Sequence, residues 1–224
     1  PYNRKLIQAI LNKNITLYDH ETLVNEANHR LIGFGYYAGV VGAYNGLRAL
    51  GLKLNCFELP KATDLNDRAA LNAQLDLLTI PNVKIVLTGS GRVGQGAKEI
   101  LDHLNIKKVS VDQFINNSFK EAVYVQLDVL DYCKRKDGTN IGKKDFFNYP
   151  EAYQSTFDRF TSVADFFIAG HFYGKGAPVF FTREQAKAPS FNLKVVADIS
   201  CDIDGPVACT IRPSTIDYPI YGYD

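Results

Sequence analysis

Gly89, Gly91 and Gly94 stand in the string Gly89-Ser90-Gly91-Arg92-Val93-Gly94, a full G-x-G-x-x-G. In that pattern the first glycine allows a tight turn, the second lets backbone approach a pyrophosphate, and the third lets helix and strand touch. A helix opening there turns its first N–H groups and a partial positive charge toward phosphate. Asp112 follows at about the distance expected of an acid that accepts ribose hydroxyls. Asp198 lies in a second apolar run, where an ionised carboxylate is costly unless it meets a partner such as a ribose or an ammonium group. Together these residues offer dinucleotide binding. After Asp112 come Gln113 and Phe114, with no Arg to hold a 2′-phosphate, so the pattern favours NAD over NADP.

The motif carries weight only between a strand and a helix. Val83, Ile85, Val86 and Leu87, interrupted by Lys84 alone, predict a strand buried on both faces. A helix over 93–104 follows at once, then a strand over 107–111 with Asp112 at its end, which makes one βαβ unit. Further strands are predicted over 31–34, 122–128, 165–169 and 193–199. Helices are predicted over 3–12 and 37–50, from a cap at Asp64 to about residue 78, and over 150–163. Residues 133–148 read as a polar surface excursion. The fold class is α/β, a Rossmann-like parallel sheet flanked by helices. In the helix over 37–50, Gly39, Gly42, Ala43 and Gly46 recur at three- and four-residue spacing. Each interior glycine costs about 1 kcal/mol relative to alanine, so the helix is expected to lie close against another element. His171 falls just after the strand ending at Ala169, the carboxyl end where open α/β sheets bind ligands; a hydrogen-bonded structural role fits it nearly as well.

Composition narrows the function. The 224 residues are 46% hydrophobic and 22% charged, ordinary values for a folded domain and not for a disordered tail. A net charge of +1 gives no electrostatic case for nucleic acid or an anionic membrane as partner. No apolar run approaches the roughly 20 residues of a membrane span, and the expected location is cytoplasmic. The four cysteines and four histidines show no metal-ligand spacing, so no metal is expected and the cysteines read as small buried hydrophobes. Tyr173-Gly174-Lys175-Gly176 invites a phosphate-loop reading but has glycine where the hydroxyl residue must stand. Met is absent even at position 1, which points to a piece of a longer chain.

Residues 17–46, especially the string from Arg30 to Gly42, together with Gly89 to Ala97 and Val196-Ala197-Asp198-Ile199-Ser200-Cys201-Asp202, resemble the lysine-forming, NAD-dependent saccharopine dehydrogenases. Those group with alanine dehydrogenase and the proton-translocating transhydrogenase in one superfamily. The resemblance implies two Rossmann-like halves with the active site in the cleft, joined by a long glycine-rich helix. On that basis residues 1–36 are the remnant of a partly missing substrate domain and 37–51 the connector. Residues 52–200 are the NAD-binding domain and 201–224 a return segment. The resemblance implies substrate contacts at Arg30, Phe34, Phe172, Tyr173 and Gly174, and a carboxylate at Glu21 that tunes the catalytic bases. A solvated charge at Arg30 and a helix-start carboxylate at Glu21 are the plainer readings of those two. Cofactor contacts fall on Gly89, Gly91, Arg92, Val93, Gly94, Asp112, His171, Ala197, Asp198, Ile199 and Ser200. His29 stands where the family pattern has Arg. The family's catalytic Lys and His lie upstream of the stretch that matches Pro1. The expected whole is an NAD-dependent oxidoreductase acting on the CH–NH group of an amino acid or opine, with this piece inactive alone. Alternatives are an alanine dehydrogenase-like enzyme and, from another class, a non-catalytic NAD-binding regulatory module.

Overall fold

The computed structural model describes residues 3–223; Pro1, Tyr2 and Asp224, the outermost residues of the expected first and last segments, lie outside them. The chain divides into two compact units, Pro1–Phe34 and Gly35–Asp224. The first holds helix α1 (Arg4–Asn12), whose N-cap Asn3 accepts from the Leu6 N–H at 3.1 Å, and a short turn of 3₁₀-helix capped by Asp19. Residues 31–34 form no strand. Leu31 N–H donates to the Leu23 carbonyl at 2.8 Å, next to an isolated bridge between Val24 and Arg30.

The second unit opens with helix α2 (Gly35–Leu54), longer at both ends than the span expected from its glycine spacing. Next comes α3 (Arg68–Leu75), capped by Asp67, whose carboxylate accepts from the Ala70 N–H at 2.8 Å. Asp64, expected to cap this helix, lies instead in a separate 3₁₀ turn (Ala62–Asp64). Strand β1 (Lys84–Thr88) runs into helix α4 (Arg92–His103), then strand β2 (Lys107–Lys108) and helix α5 (Val111–Asn116). Ser110 stops β2 early by forming a reciprocal capping box with Gln113. Strand β3 (Val123–Leu127), helix α6 (Val129–Tyr132) and strand β4 (Cys133–Arg135) follow, then helix α7 (Lys143–Asn148), strand β5 (Tyr153–Ser155) and helix α8 (Asp158–Thr161). Strand β6 (Phe166–Ala169), helix α9 (Arg183–Ala186) and strand β7 (Val195–Asp198) complete the order.

The helix expected over 150–163 is therefore broken. Residues 153–155 pair antiparallel with 133–135, a partner hidden in what read as a surface excursion, and the pairing overrides local helix preference. Phe146 packs edge-on against Tyr153 with ring centres 5.1 Å apart, and Arg135 bridges to Asp145 beneath it.

The main sheet has order β2-β3-β1-β6-β7, with every pairing parallel. Alternate residues feed two cores. Ile85, Leu87, Phe166 and Ile168 face the cluster built with α2 and α4, while Val86, Val125 and Phe167 face an aromatic cluster containing Phe114, Phe157 and Phe160. Burial on both faces explains why the strands read as unbroken apolar runs. No helix among the described residues is long and apolar enough to cross a membrane.

Helices α2 and α4 cross with backbone against backbone. A Cβ built on Gly39 would lie 2.0 Å from the Val93 carbonyl oxygen, and one on Gly96 1.9 Å from that of Tyr36. Neither backbone can retreat without breaking its own helix ladder. Gly96→Ala should therefore destabilise the fold by about 1–3 kcal/mol, the usual cost of overpacking. A lowered urea midpoint at unchanged slope would show it, and an unchanged midpoint would mean that the crossing is looser than the structure has it.

Candidate functional site

The sheet brings four strand ends into one row. Thr88 of β1 is in register with Leu127 of β3 on one side and Ala169 of β6 on the other, and Ala169 with Asp198 of β7. The chain fills the β3 side of β1 before crossing to β6, so the strand order reverses between β1 and β6. That is where open α/β sheets bind ligands.

The glycine turn leaves β1 at this row. Gly89 has φ +92°, a left-handed value that suits glycine, and its Cβ would lie 2.4 Å from the Gly170 carbonyl oxygen. Its N–H donates to the Leu127 carbonyl at 3.0 Å, and its own carbonyl accepts from Gln126 Nε2 at 3.0 Å. Gly94 sits over the same carbonyl, with a hypothetical Cβ 2.2 Å away. Gly91 differs. It is the N-cap of α4 with φ −76°, open to any residue, and a Cβ built on it meets no atom within 4 Å. The fold thus demands glycine at 89 and 94, whereas no contact among the described residues accounts for Gly91. Arg92 and Val93 form the first turn of α4 beside Gly35.

Across the row, His171 follows β6 and is 8% exposed. Its Nδ1 is 2.9 Å from Thr88 Oγ1, and its ring lies 4.3 Å from that of Phe180. Nε2 is buried with no hydrogen-bond partner among the described residues. Burial lowers the imidazole from 6.5 to about 4, partly offset by the charge of Asp198, so the ring is neutral near pH 7. Beyond it Phe172 is exposed, Tyr173 donates through its hydroxyl to the Ala177 carbonyl at 3.2 Å, and the Gly174 carbonyl accepts from the Ala177 N–H at 3.0 Å.

The end of β7 is occupied by the chain itself. Asp198 accepts from Ser200 N at 3.1 Å, Ser200 Oγ at 2.6 Å and Cys201 N at 3.4 Å through one carboxylate oxygen, and from the Thr210 hydroxyl through the other. The partner that an acid in an apolar strand requires is thus the following loop, and burial alone does not call for a ligand there. Ala197 and Ile199 face α2 at Gly46 and Gly42, where added Cβ atoms would lie 2.7 Å and 2.5 Å from their side chains.

Asp112 is not at a strand end. It lies in the first turn of α5, is exposed, and accepts from Asn116 Nδ2 at 2.8 Å. Its strand is the sheet's edge, pairs with β3 and not β1, and stops at Lys108 opposite Tyr124, short of the row. The residue at the carboxyl end of β1's actual neighbour is Asp128. Its Oδ2 accepts from Ser90 Oγ at 3.5 Å and pairs with Lys143. It follows the glycines by far more than the usual 20 or so residues, so spacing does not single it out. Thr88 and Gln126 were equally silent, since neither stands out from the strand that carries it.

In the first unit Arg30 pairs with Glu21 at 3.7 Å, both side chains 60% exposed, and Phe34 lies edge-on to His20 with ring centres 6.0 Å apart. An exposed pair of this kind contributes about 0–1 kcal/mol. Burial pushes the thiols of Cys133 and Cys209 up to about 12 and about 11, so neither is a thiolate near neutral pH.

The fold and the glycine turn define a Rossmann-like α/β domain, and comparison with solved structures agrees. An L-alanine dehydrogenase superposes with a TM-score of 0.55 at 16% identity, covering 99% of this chain and 53% of that one. By sequence, the mitochondrial alpha-aminoadipic semialdehyde synthase of Bos taurus is 26% identical over 264 residues, covering 99% of this chain and 28% of that protein. The synthase of Arabidopsis thaliana is 24% identical, with 99% and 24% covered. The saccharopine dehydrogenase [NAD(+), L-lysine-forming] of Candida glabrata is 26% identical over 215 residues, with 91% and 49% covered. No protein-family model matches the chain. Its homologues are thus the saccharopine dehydrogenases and aminoadipic semialdehyde synthases, in agreement with the resemblance carried by its motifs. The chain spans about a quarter of the length of the synthases it matches.

The neutral, buried His171 links stability to pH. Its folded value lies below its unfolded one, so the unfolded chain binds the extra proton between about 6.5 and about 4. The stability it contributes is complete above that window and lost as pH falls through it. In His171→Gln, the drop in unfolding free energy between about pH 7 and about pH 4.5 should be smaller than in the parent. An equal drop in both proteins would show that the imidazole is solvated in the folded state.

Proposed function

We propose that the chain is the cofactor-binding portion of an NAD-dependent dehydrogenase acting on the amine-bearing carbon of an amino acid or opine, similar in activity to saccharopine dehydrogenase. The observation that carries this reading is Gly91. Two glycines of the turn answer to contacts within the chain, whereas the third opens the start of α4 to whatever lies outside it. A pyrophosphate fits that position, because it needs close backbone approach and gains from the helix N-terminus. The relatives' dehydrogenase names support the same role.

Each part of the site then has work to do. The backbone from Gly89 to Gly94 would hold the pyrophosphate, and Ser90 would flank it. Bound NAD supplies the hydride acceptor. Neutral His171, fixed by Thr88 at the β1–β6 crossing, would keep positive charge away from this end of the sheet. The loop Phe172, Tyr173 and Gly174 would border nicotinamide and substrate. Ala197, Asp198, Ile199 and Ser200 would border the cofactor at the end of β7, with Asp198 holding the loop in place. Arg30 would take a substrate carboxylate, Phe34 would line the substrate, and Glu21 would tune the proton affinity of the bases.

Titration of the chain with NADH, followed by nicotinamide fluorescence, should saturate below millimolar cofactor. Gly91→Asp projects its side chain into open space and keeps a residue favoured at a helix N-cap, so it should leave the urea midpoint nearly unchanged while weakening NADH at least about ten-fold. Unchanged affinity in that variant, or no saturable binding by the folded parent, would overturn the reading.

A further inference from the structure

Resting on that dinucleotide reading, we propose that Asp128, and not Asp112, takes the hydroxyls of the cofactor's adenosine ribose, and that its ion pair with Lys143 sets the choice between a 2′-hydroxyl and a 2′-phosphate. The argument is topological first. The ribose acid of a glycine-turn domain sits at the carboxyl end of the strand beside the one that carries the turn. Here that strand is β3, in full register with β1 from Lys84↔Val123 to Thr88↔Leu127, and Asp128 is the next residue. β2 is separated from β1 by β3, and Asp112 lies beyond its end.

The contacts agree with the topology. The turn is stitched to β3 twice, through Gly89 N–H to Leu127 O and Gln126 Nε2 to Gly89 O, which fixes Asp128 beside Ser90. One oxygen of Asp128 is committed to capping α6, accepting from the Val129 N–H at 2.7 Å. The other faces Ser90 Oγ and the ammonium of Lys143, whose side chain is 54% exposed. A carboxylate with one oxygen fixed by backbone and the other held by a solvated, movable lysine is a ready acceptor for a ribose hydroxyl. The same lysine brings to this acid the cation that the sequence around Asp112 lacks. With Asp128 ionised, a 2′-phosphate is repelled. With its charge removed, Lys143 becomes available to that phosphate.

The test is the ratio of NADH to NADPH affinity in the 224-residue chain. Asp128→Asn keeps a side-chain oxygen to cap α6, so folding is retained. It should weaken NADH about ten-fold or more and NADPH far less, lowering the ratio. Lys143→Ala should move the ratio the opposite way by weakening NADPH. Asp112→Asn should leave both affinities within about two-fold. Equal weakening of both cofactors by Asp128→Asn, or a change of ratio confined to Asp112→Asn, would overturn the assignment while leaving dinucleotide binding intact. A folded parent that binds neither cofactor would overturn both readings.

Discussion

Direct contact of backbone with backbone is the constraint on which the second unit depends. Gly39 and Gly96 let α2 and α4 close on each other, and Gly94 lets the first turn of α4 rest on the Gly89 carbonyl. Gly89 in turn lies against Gly170, at the start of the segment that follows β6. One chain of side-chain-free contacts therefore runs from the long helix, through the glycine turn, to the loop bearing His171. Such contacts leave little room to adjust, since no flexible side chain lies between the elements. The positions of the turn, of His171 and of Asp128 are consequences of that packing.

Electrostatics at the row of strand ends follows from the same closeness. His171 is buried too deeply to hold a proton near neutral pH, and Asp198 spends its hydrogen-bonding capacity on its own loop. Asp128 is different, because its cap uses one oxygen and leaves the other to an exposed ammonium. An acid neutralised by a solvated lysine can exchange that partner at small cost, whereas one held by several donors of its own loop, as Asp198 is, must give up all of them. This edge therefore holds one adaptable carboxylate among groups already fixed.

Much of this was legible beforehand. The run through β1, the turn, α4, β6 and β7 carry strong local signals, because strands buried on both faces read as apolar blocks and the turn needs its glycines. The resemblance to saccharopine dehydrogenases agrees with the homologues found by sequence. What failed were segments decided by distant partners. Tyr153–Ser155 lies in a stretch of helical pattern but pairs with Cys133–Arg135 as a strand, and Asp67, not Asp64, caps α3. Distance along the chain places Asp112 at a strand end, whereas the structure puts it in the first turn of α5, because β2 lies at the sheet's edge and ends at Lys108.

The amino-acid sequence by itself determined the α/β class, the phosphate-compatible turn and the superfamily resemblance, because periodicity and glycine placement are local properties. Only the tertiary structure decided which strand lies beside β1, which glycine faces open space, and which acid stands next to Ser90. Those depend on strand order, and strand order is set by long-range packing that no short window of residues encodes.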